Sequence, residues 1–183
     1  QEDLKEVIGE ERGHLVCTTA CLGGYTGQAY LQNEPEKVSH FLKGMSKIMG
    51  EENFFVELQP SHQKEQIDYN SHMIINHWKD YNFIFATDSH YMNKGEQEVH
   101  RWFLQSKGGD REVDSFYSSA YMMDYDEVLT YFNYYISMPK IESMRDNTLA
   151  INDRVESYSL DHEQIVPKVE YGERYDINKI ISI

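Results

Sequence analysis

Cysteine is scarce in this chain, with two residues in 183, Cys17 and Cys21. Their C-x3-C spacing is neither a redox C-x-x-C nor a zinc knuckle, and a reducing, cytoplasmic setting fits it best. Positive charge is also in short supply: 17 Lys and Arg stand against 31 Asp and Glu, a net charge of -14. That balance opposes a nucleic-acid-binding surface, because neutralising phosphates takes clustered Lys and Arg. Any contact with DNA is then expected to run through a metal or a partner. No apolar run approaches the roughly 20 residues that span a bilayer, and no signal peptide is visible. A soluble protein with no membrane contact is expected. The chain opens at Gln1, without a methionine and inside a charged helical pattern, which suggests a piece of something longer.

The informative stretch is Phe83-Ile84-Phe85-Ala86-Thr87-Asp88-Ser89-His90-Tyr91, an apolar run ending in a carboxylate and an imidazole two residues apart. A buried strand delivers whatever follows it to one rim of its sheet. Alternate residues of an extended segment share a face, so Asp88 and His90 are expected to point the same way. A carboxylate oxygen beside an imidazole nitrogen suits zinc, manganese or iron. An aspartate capping a turn beside a surface histidine has the same pattern, and the pair alone leaves both readings open.

Other segments alternate in type. Residues 2–11 read as a helix closed by Gly13. Residues 14–19 are β-branched and apolar, run into Cys21, and meet Gly23-Gly24, where a sharp turn with positive φ is expected. Residues 34–49 carry Val38, Phe41, Leu42, Met45, Ile48 and Met49 on one helical stripe, with Asn33 as N-cap and Gly50 as stop. Residues 53–59 form a second strand containing one carboxylate, Glu57, and residues 63–81 a helix with Ile67, Ile74, Ile75 and Trp78 inward. Near-continuous apolar strands separated by helices imply a parallel α/β sheet with right-handed crossovers. In such sheets chemistry gathers at the carboxyl ends of the strands, where Cys21, Asp88 and His90 all fall.

Beyond Asn93, a helix over 96–105 is expected to place Val99 and Phe103 inward, and residues 116–119 read as a short extended segment. Asp124 and Glu127 form a capping-box signal for a helix with Val128, Leu129 and Phe132 inward. The dense tyrosines from Tyr117 to Tyr135 fit packing better than base stacking, given so little positive charge nearby. Pro139 opens a last helix through about Val155, and the end, residues 177–183, reads as an element needing a neighbour.

In sequence order, these pieces resemble the second half of the PHP domain of the replicative DNA polymerase III alpha subunit of bacteria or phage. The likeness rests on Thr19-Ala20-Cys21-Leu22-Gly23-Gly24, Phe55-Val56-Glu57-Leu58-Gln59, Ala86-Thr87-Asp88-Ser89-His90-Tyr91, Phe116-Tyr117 before a capped helix, and Asp146-Asn147-Thr148-Leu149-Ala150-Ile151. It implies part of a distorted TIM-like barrel over residues 1–118, then a helical connection over 119–183 leading toward a polymerase palm. It also implies metal roles for Cys21, Asp88 and His90, with the other ligands of the family upstream of Gln1; the chain contains no His-x-His. Glu57 is expected to hydrogen-bond a ligand, and His62 is a further candidate, though its place at a helix start suits a surface residue. His14, His40, His72, His77, His100 and His162 are read as solvent-facing or packing residues, and Cys17 as a small core residue.

On this resemblance the chain belongs to a DNA-directed DNA polymerase, with the rest of the alpha subunit as partner. Its roles would be 3′-5′ exonuclease chemistry on a divalent metal, scaffolding, or docking of a proofreading exonuclease subunit. A stand-alone PHP phosphoesterase of the histidinol-phosphatase kind and a metal-free structural module are the alternatives. Half a barrel would expose sheet edges, so self-association is expected.

Overall fold

The computed structural model describes Glu6, Ile8, residues 12–106 and residues 116–159. Glu6 and Ile8 are helical; the rest of the expected first helix, His162 and residues 177–183 lie outside the described residues. Three strands, β1 (Cys17–Thr18), β2 (Phe54–Leu58) and β3 (Asn82–Phe85), form a sheet in the order β1-β2-β3. Both pairings are parallel, Cys17 opposite Phe54 and Val56 opposite Phe83. Helices α1 (Tyr25–Leu31) and α2 (Pro35–Met49) connect β1 to β2, and α3 (Lys64–His77) connects β2 to β3. After β3 come α4 (Gln97–Ser106), α5 (Tyr125–Phe132) and α6 (Met138–Asp153).

Burial explains why these segments take these forms. Phe54, Phe55, Val56 and Leu58 are all buried, as a strand covered on both faces requires. Helix α2 sinks Val38, Leu42, Met45, Ile48 and Met49 into the core and stops at Gly50, whose φ of +94° only glycine adopts without strain. Its N-cap is Glu34 rather than Asn33, which takes a left-handed φ of +60° just before it. The capping box at α5 is complete: Glu127 N–H donates to the Asp124 carboxylate, and Asp124 N–H donates to the Glu127 carboxylate. Val128, Phe132, Ile136, Ile141 and Met144 join the β2 and α2 residues in one buried core cluster.

Helix α6 lies along the free side of β3. Its Asn147 Nδ2 donates to the Phe83 carbonyl at 2.8 Å, and Arg154 just beyond it donates to the Glu52 carbonyl at 3.0 Å, ahead of β2. Among the described residues β3 therefore meets a helix on its outer side.

Several local expectations are corrected. β1 is two residues long, with Leu15 and Val16 exposed. Gly23 and Gly24 do not supply the positive φ at the β1 exit; Ala20 does, at +59°. Residues Phe116–Ser119 form a 3-10 turn. Ile75 faces solvent, and α3 turns Gln66, Tyr69, Asn70, Met73, Ile74 and His77 inward. Val99 and Phe103 of α4 are exposed, because the helix turns His100 toward the Tyr91 and Tyr117 rings instead.

The buried end of α3 carries a pH consequence. His77 is 7% exposed, with His72 at 5.9 Å between ring centroids and Tyr81 at 6.1 Å. Glu36 and Ser39 of α2 line the cleft beside both imidazoles. Burial pushes the His77 pKa down, the neighbouring His72 pushes it further, and Asp80 opposes both; burial lowers His72 as well. A histidine depressed in the folded state releases its proton on folding, so stability rises with pH across the window between the two values. The contribution is full above about 6.5, the unfolded value, and is lost as pH falls through the lower folded value. Urea midpoints are expected to drop between pH 7.5 and pH 5.5, and His77→Phe is expected to flatten that slope.

Candidate functional site at the strand carboxyl ends

Cys21, Glu57, His62, Asp88 and His90 all follow or end a strand, and because the strands are parallel they occupy one rim of the sheet. The rim is divided, with β2 between the β1 and β3 exits.

On the β1 side, the Thr18 hydroxyl donates to Glu57 Oε2 at 2.7 Å and Gln59 Nε2 donates to Glu57 Oε1 at 3.0 Å. The Glu57 carboxylate is thus held by two neutral donors. Thr19 Oγ1 accepts from the Glu57 amide at 3.0 Å. Below them the buried Tyr69 hydroxyl shares a 2.8 Å hydrogen bond with Thr26. Burial raises the Tyr69 pKa; hydrogen bonds to Thr26 and Thr19 work against that, and the charges of Glu57 and Cys21 add to it. Cys21 and Glu57 therefore act on one phenol, a link the sequence did not reveal. Cys21 is half-buried and free, and Cys17 is half-buried against the core, where burial raises its pKa.

On the β3 side the strand ends at Phe85, earlier than its apolar run suggests. Asp88 then takes a left-handed φ of +47°, so alternation along an extended chain does not orient the pair. A tight turn does: His90 Nδ1 lies 2.5 Å from the Asp88 carbonyl. Since a carbonyl only accepts, Nδ1 carries the proton and Nε2 keeps its lone pair. This is the arrangement found where histidine ligates a metal through one nitrogen and anchors the other on backbone. The His90 amide donates to the Ala120 carbonyl at 2.7 Å, and Tyr91 and Tyr121 form a parallel bridge. The turn is thereby clamped by a segment 30 residues further along.

Asp88 and His90 share a cleft of about 20 Å³ with Gln59, Ser61, Thr87 and Tyr117, room for one water or ion. Cys21 and Glu57 do not line it. His62 is exposed and stacks on Tyr131, 4.3 Å between ring centroids. Among the described residues, no three His, Cys, Asp or Glu side chains are grouped to hold a metal ion. The pair at Asp88 and His90 fits an ion in cleft size and tautomer; the wider expected set of Cys21, Asp88 and His90 is not gathered around one point.

His100 was passed over because helical spacing made it one more packing histidine. Its ring centroid lies 5.4 Å from that of His90, and both rings contact Tyr117, at 4.9 and 5.0 Å. Burial and then the His90 charge lower the His100 pKa, which keeps a ring lone pair available near neutral pH.

A parallel α/β sheet with titratable groups at its strand ends defines a broad class, and comparison with known proteins narrows it. The chain is 33% identical over 185 aligned residues, 93% of its length, to "Probable DNA polymerase YorL" of Bacillus subtilis (strain 168). The same figures hold for "DNA-directed DNA polymerase" of Bacillus phage SPbeta. The chain spans 14% of the length of these curated relatives. No protein-family profile matches it. Among the described residues no helix is long and apolar enough to cross a membrane.

Proposed function

We propose that this chain is an accessory α/β domain of a DNA polymerase, of the PHP kind found in polymerase III alpha subunits, and that nucleotidyl transfer belongs to the rest of the polypeptide. The observation that carries the reading is similarity to DNA polymerases along 93% of the chain. The order of the motifs, and the position of Cys21, Asp88 and His90 after the carboxyl ends of parallel strands, support the PHP assignment. The net charge of -14 favours scaffolding or docking of a proofreading exonuclease over a direct grip on DNA. In this reading residues 1–118 form part of the barrel and 119–183 lead toward the palm, in the cytoplasm.

A divalent ion, zinc, manganese or iron, held at Asp88 and His90 would supply Lewis-acid polarisation of a phosphoryl oxygen. The chain's own part is to fix the His90 tautomer through the Asp88 carbonyl and to hold the turn through the Ala120 carbonyl. A metal-free structural module is the second reading, favoured by the lack of a three-ligand group among the described residues. Names of the relatives weigh against a stand-alone phosphoesterase.

Metal analysis of the purified chain separates the two. Uptake of one ion per chain, abolished by Asp88→Asn or His90→Ala, supports the metal-bearing domain. No uptake of zinc, manganese or iron leaves the structural module. In either case the chain alone is expected to bind neither single- nor double-stranded DNA at about 0.15 M salt; tight binding there would overturn the accessory role.

A further inference from the structure

We infer that the outward face of α4, built on Val99, Trp102 and Phe103, is the surface through which this domain docks against another part of its own polypeptide. The inference rests on the reading of the chain as one domain of a longer polymerase and names the face that joins it to the rest.

The helix itself is the first support. Val99, Trp102 and Phe103 stand at the i, i+3, i+4 spacing of an amphipathic helix, the pattern that α2 uses to enter the core. In α4 no residue is buried, and these three are 60%, 60% and 55% exposed. One exposed apolar side chain is ordinary; three on one stripe, two of them aromatic, mark a contact surface. Tryptophan is also among the residues in which binding energy concentrates.

Placement is the second. An isolated helix of 10 residues is marginal in water, so α4 has to be held by its surroundings. Its other side supplies the hold: the His100 ring meets Tyr91 and Tyr117 at 5.6 and 4.9 Å between centroids, and Glu96 closes a capping box on Asn93 at the entrance. Neither contact uses the apolar stripe. The face is thus presented in a fixed direction before any partner arrives.

Size selects the occupant. Exposed to that degree, the three side chains offer roughly 350 Å², or about 700 Å² once an equal area on the partner is counted. Freely associating proteins form stable, specific contacts at about 1,200–2,000 Å², so a second copy or a separate subunit would be held poorly. Domains of one chain dock across about 600–1,500 Å², because the tether supplies an effective concentration in the millimolar range. The chain spans 14% of the length of its polymerase relatives, and a tethered partner is what so long a polypeptide provides. The stripe calls for an apolar surface on that partner. Beside it, Lys94, Glu98 and Arg101 line a shallow cleft of mixed charge, which suits a protein rim better than a phosphate backbone.

Maleimide labelling of Val99→Cys, read at that peptide by mass spectrometry, tests this in the chain alone and in the full-length polypeptide that contains it. The introduced thiol is expected to react at least about tenfold more slowly in the full-length protein, and Trp102→Ser with Phe103→Ser is expected to restore the fast rate. The same pair should leave the isolated chain melting within about 2 °C of wild type, since both side chains are exposed. If Val99→Cys fails to fold, amide exchange over residues 97–106 of the unaltered protein gives the same comparison. Equal labelling in the two settings, or slow labelling that survives the pair, overturns the inference. So does protection in the isolated chain that disappears on dilution, which puts a second copy on the face. Protection conferred by single-stranded DNA also overturns it, and makes the aromatics a stacking platform. Primer extension by the full-length protein separates the docking face from the reading beneath it. Fast labelling in an active polymerase overturns the face alone, slow labelling in a protein that extends no primer supports the face and overturns the polymerase reading, and fast labelling in an inactive protein overturns both.

Discussion

Phe132→Ala is expected to destabilise the chain by about 3–5 kcal/mol, the larger of two stability effects the structure points to. Phe132 is fully buried at the end of α5, with Phe85 of β3 at 6.2 Å and Tyr135 at 6.1 Å between ring centroids. The core around it also takes in Val56 and Leu58 of β2 and Ile141 and Met144 of α6. A ring this deeply buried among strand and helix residues leaves a site that relaxes only in part, so a cavity remains. Against a typical total stability of about 5–15 kcal/mol, a loss of that size leaves a marginal fold. Urea denaturation followed by circular dichroism and by tyrosine fluorescence should give one coincident transition, displaced to lower urea. Two separate transitions would show instead that the helices after residue 119 unfold independently of the sheet.

Gly27→Ala is the second. Within a helix the exchange ordinarily gains about 1 kcal/mol. Here a Cβ would lie 2.2 Å from the Leu22 carbonyl oxygen and 2.6 Å from its carbon and Cα. Leu22 is itself buried, and Gln28 Nε2 donates to the same oxygen at 3.2 Å, so the turn has little room to yield. Overpacking of this kind costs about 1–3 kcal/mol or more, which exceeds the propensity gain and sets the sign. Thermal unfolding should move down for Gly27→Ala and hardly at all for Gly95→Ala, where nothing lies within 4 Å of the added methyl. Because the displaced turn includes Cys21, its thiol should also react faster with a disulfide reagent in the Gly27 variant. An unchanged rate together with an unchanged melting temperature would mean that the turn relaxes freely.

Parallel pairing was readable because Phe54 to Leu58 is apolar on both faces, a pattern that only a doubly covered strand tolerates. Helix α2 was readable from its stripe and its terminal Gly50, and α5 from the Asp124 and Glu127 spacing. These signals are local, each set by residues within a turn or two of one another. The misread elements depend on distant chain. Where β3 stops is decided by the Ala120 carbonyl, which takes the His90 amide and pulls the backbone into the Asp88 turn. Hydropathy pointed α4 the wrong way round, because the rings of Tyr91, Tyr117 and His90 offer His100 a better contact than solvent does. Candidate residues at the rim were legible as strand-end groups. Which of them meet was not, since the spacing of Asp88 and His90 carries no record of His100 folding back against the His90 ring.

The helix laid along β3 also fixes where further strands can be added. Phe83 offers its carbonyl to Asn147, and Arg154 fastens the far end of the same helix ahead of β2, so that flank is sealed to newcomers. Among the described residues the opposite edge of the sheet is β1, at Cys17 and Thr18. A backbone that lengthens the layer would therefore pair on the β1 side, beside Cys17 and Thr18.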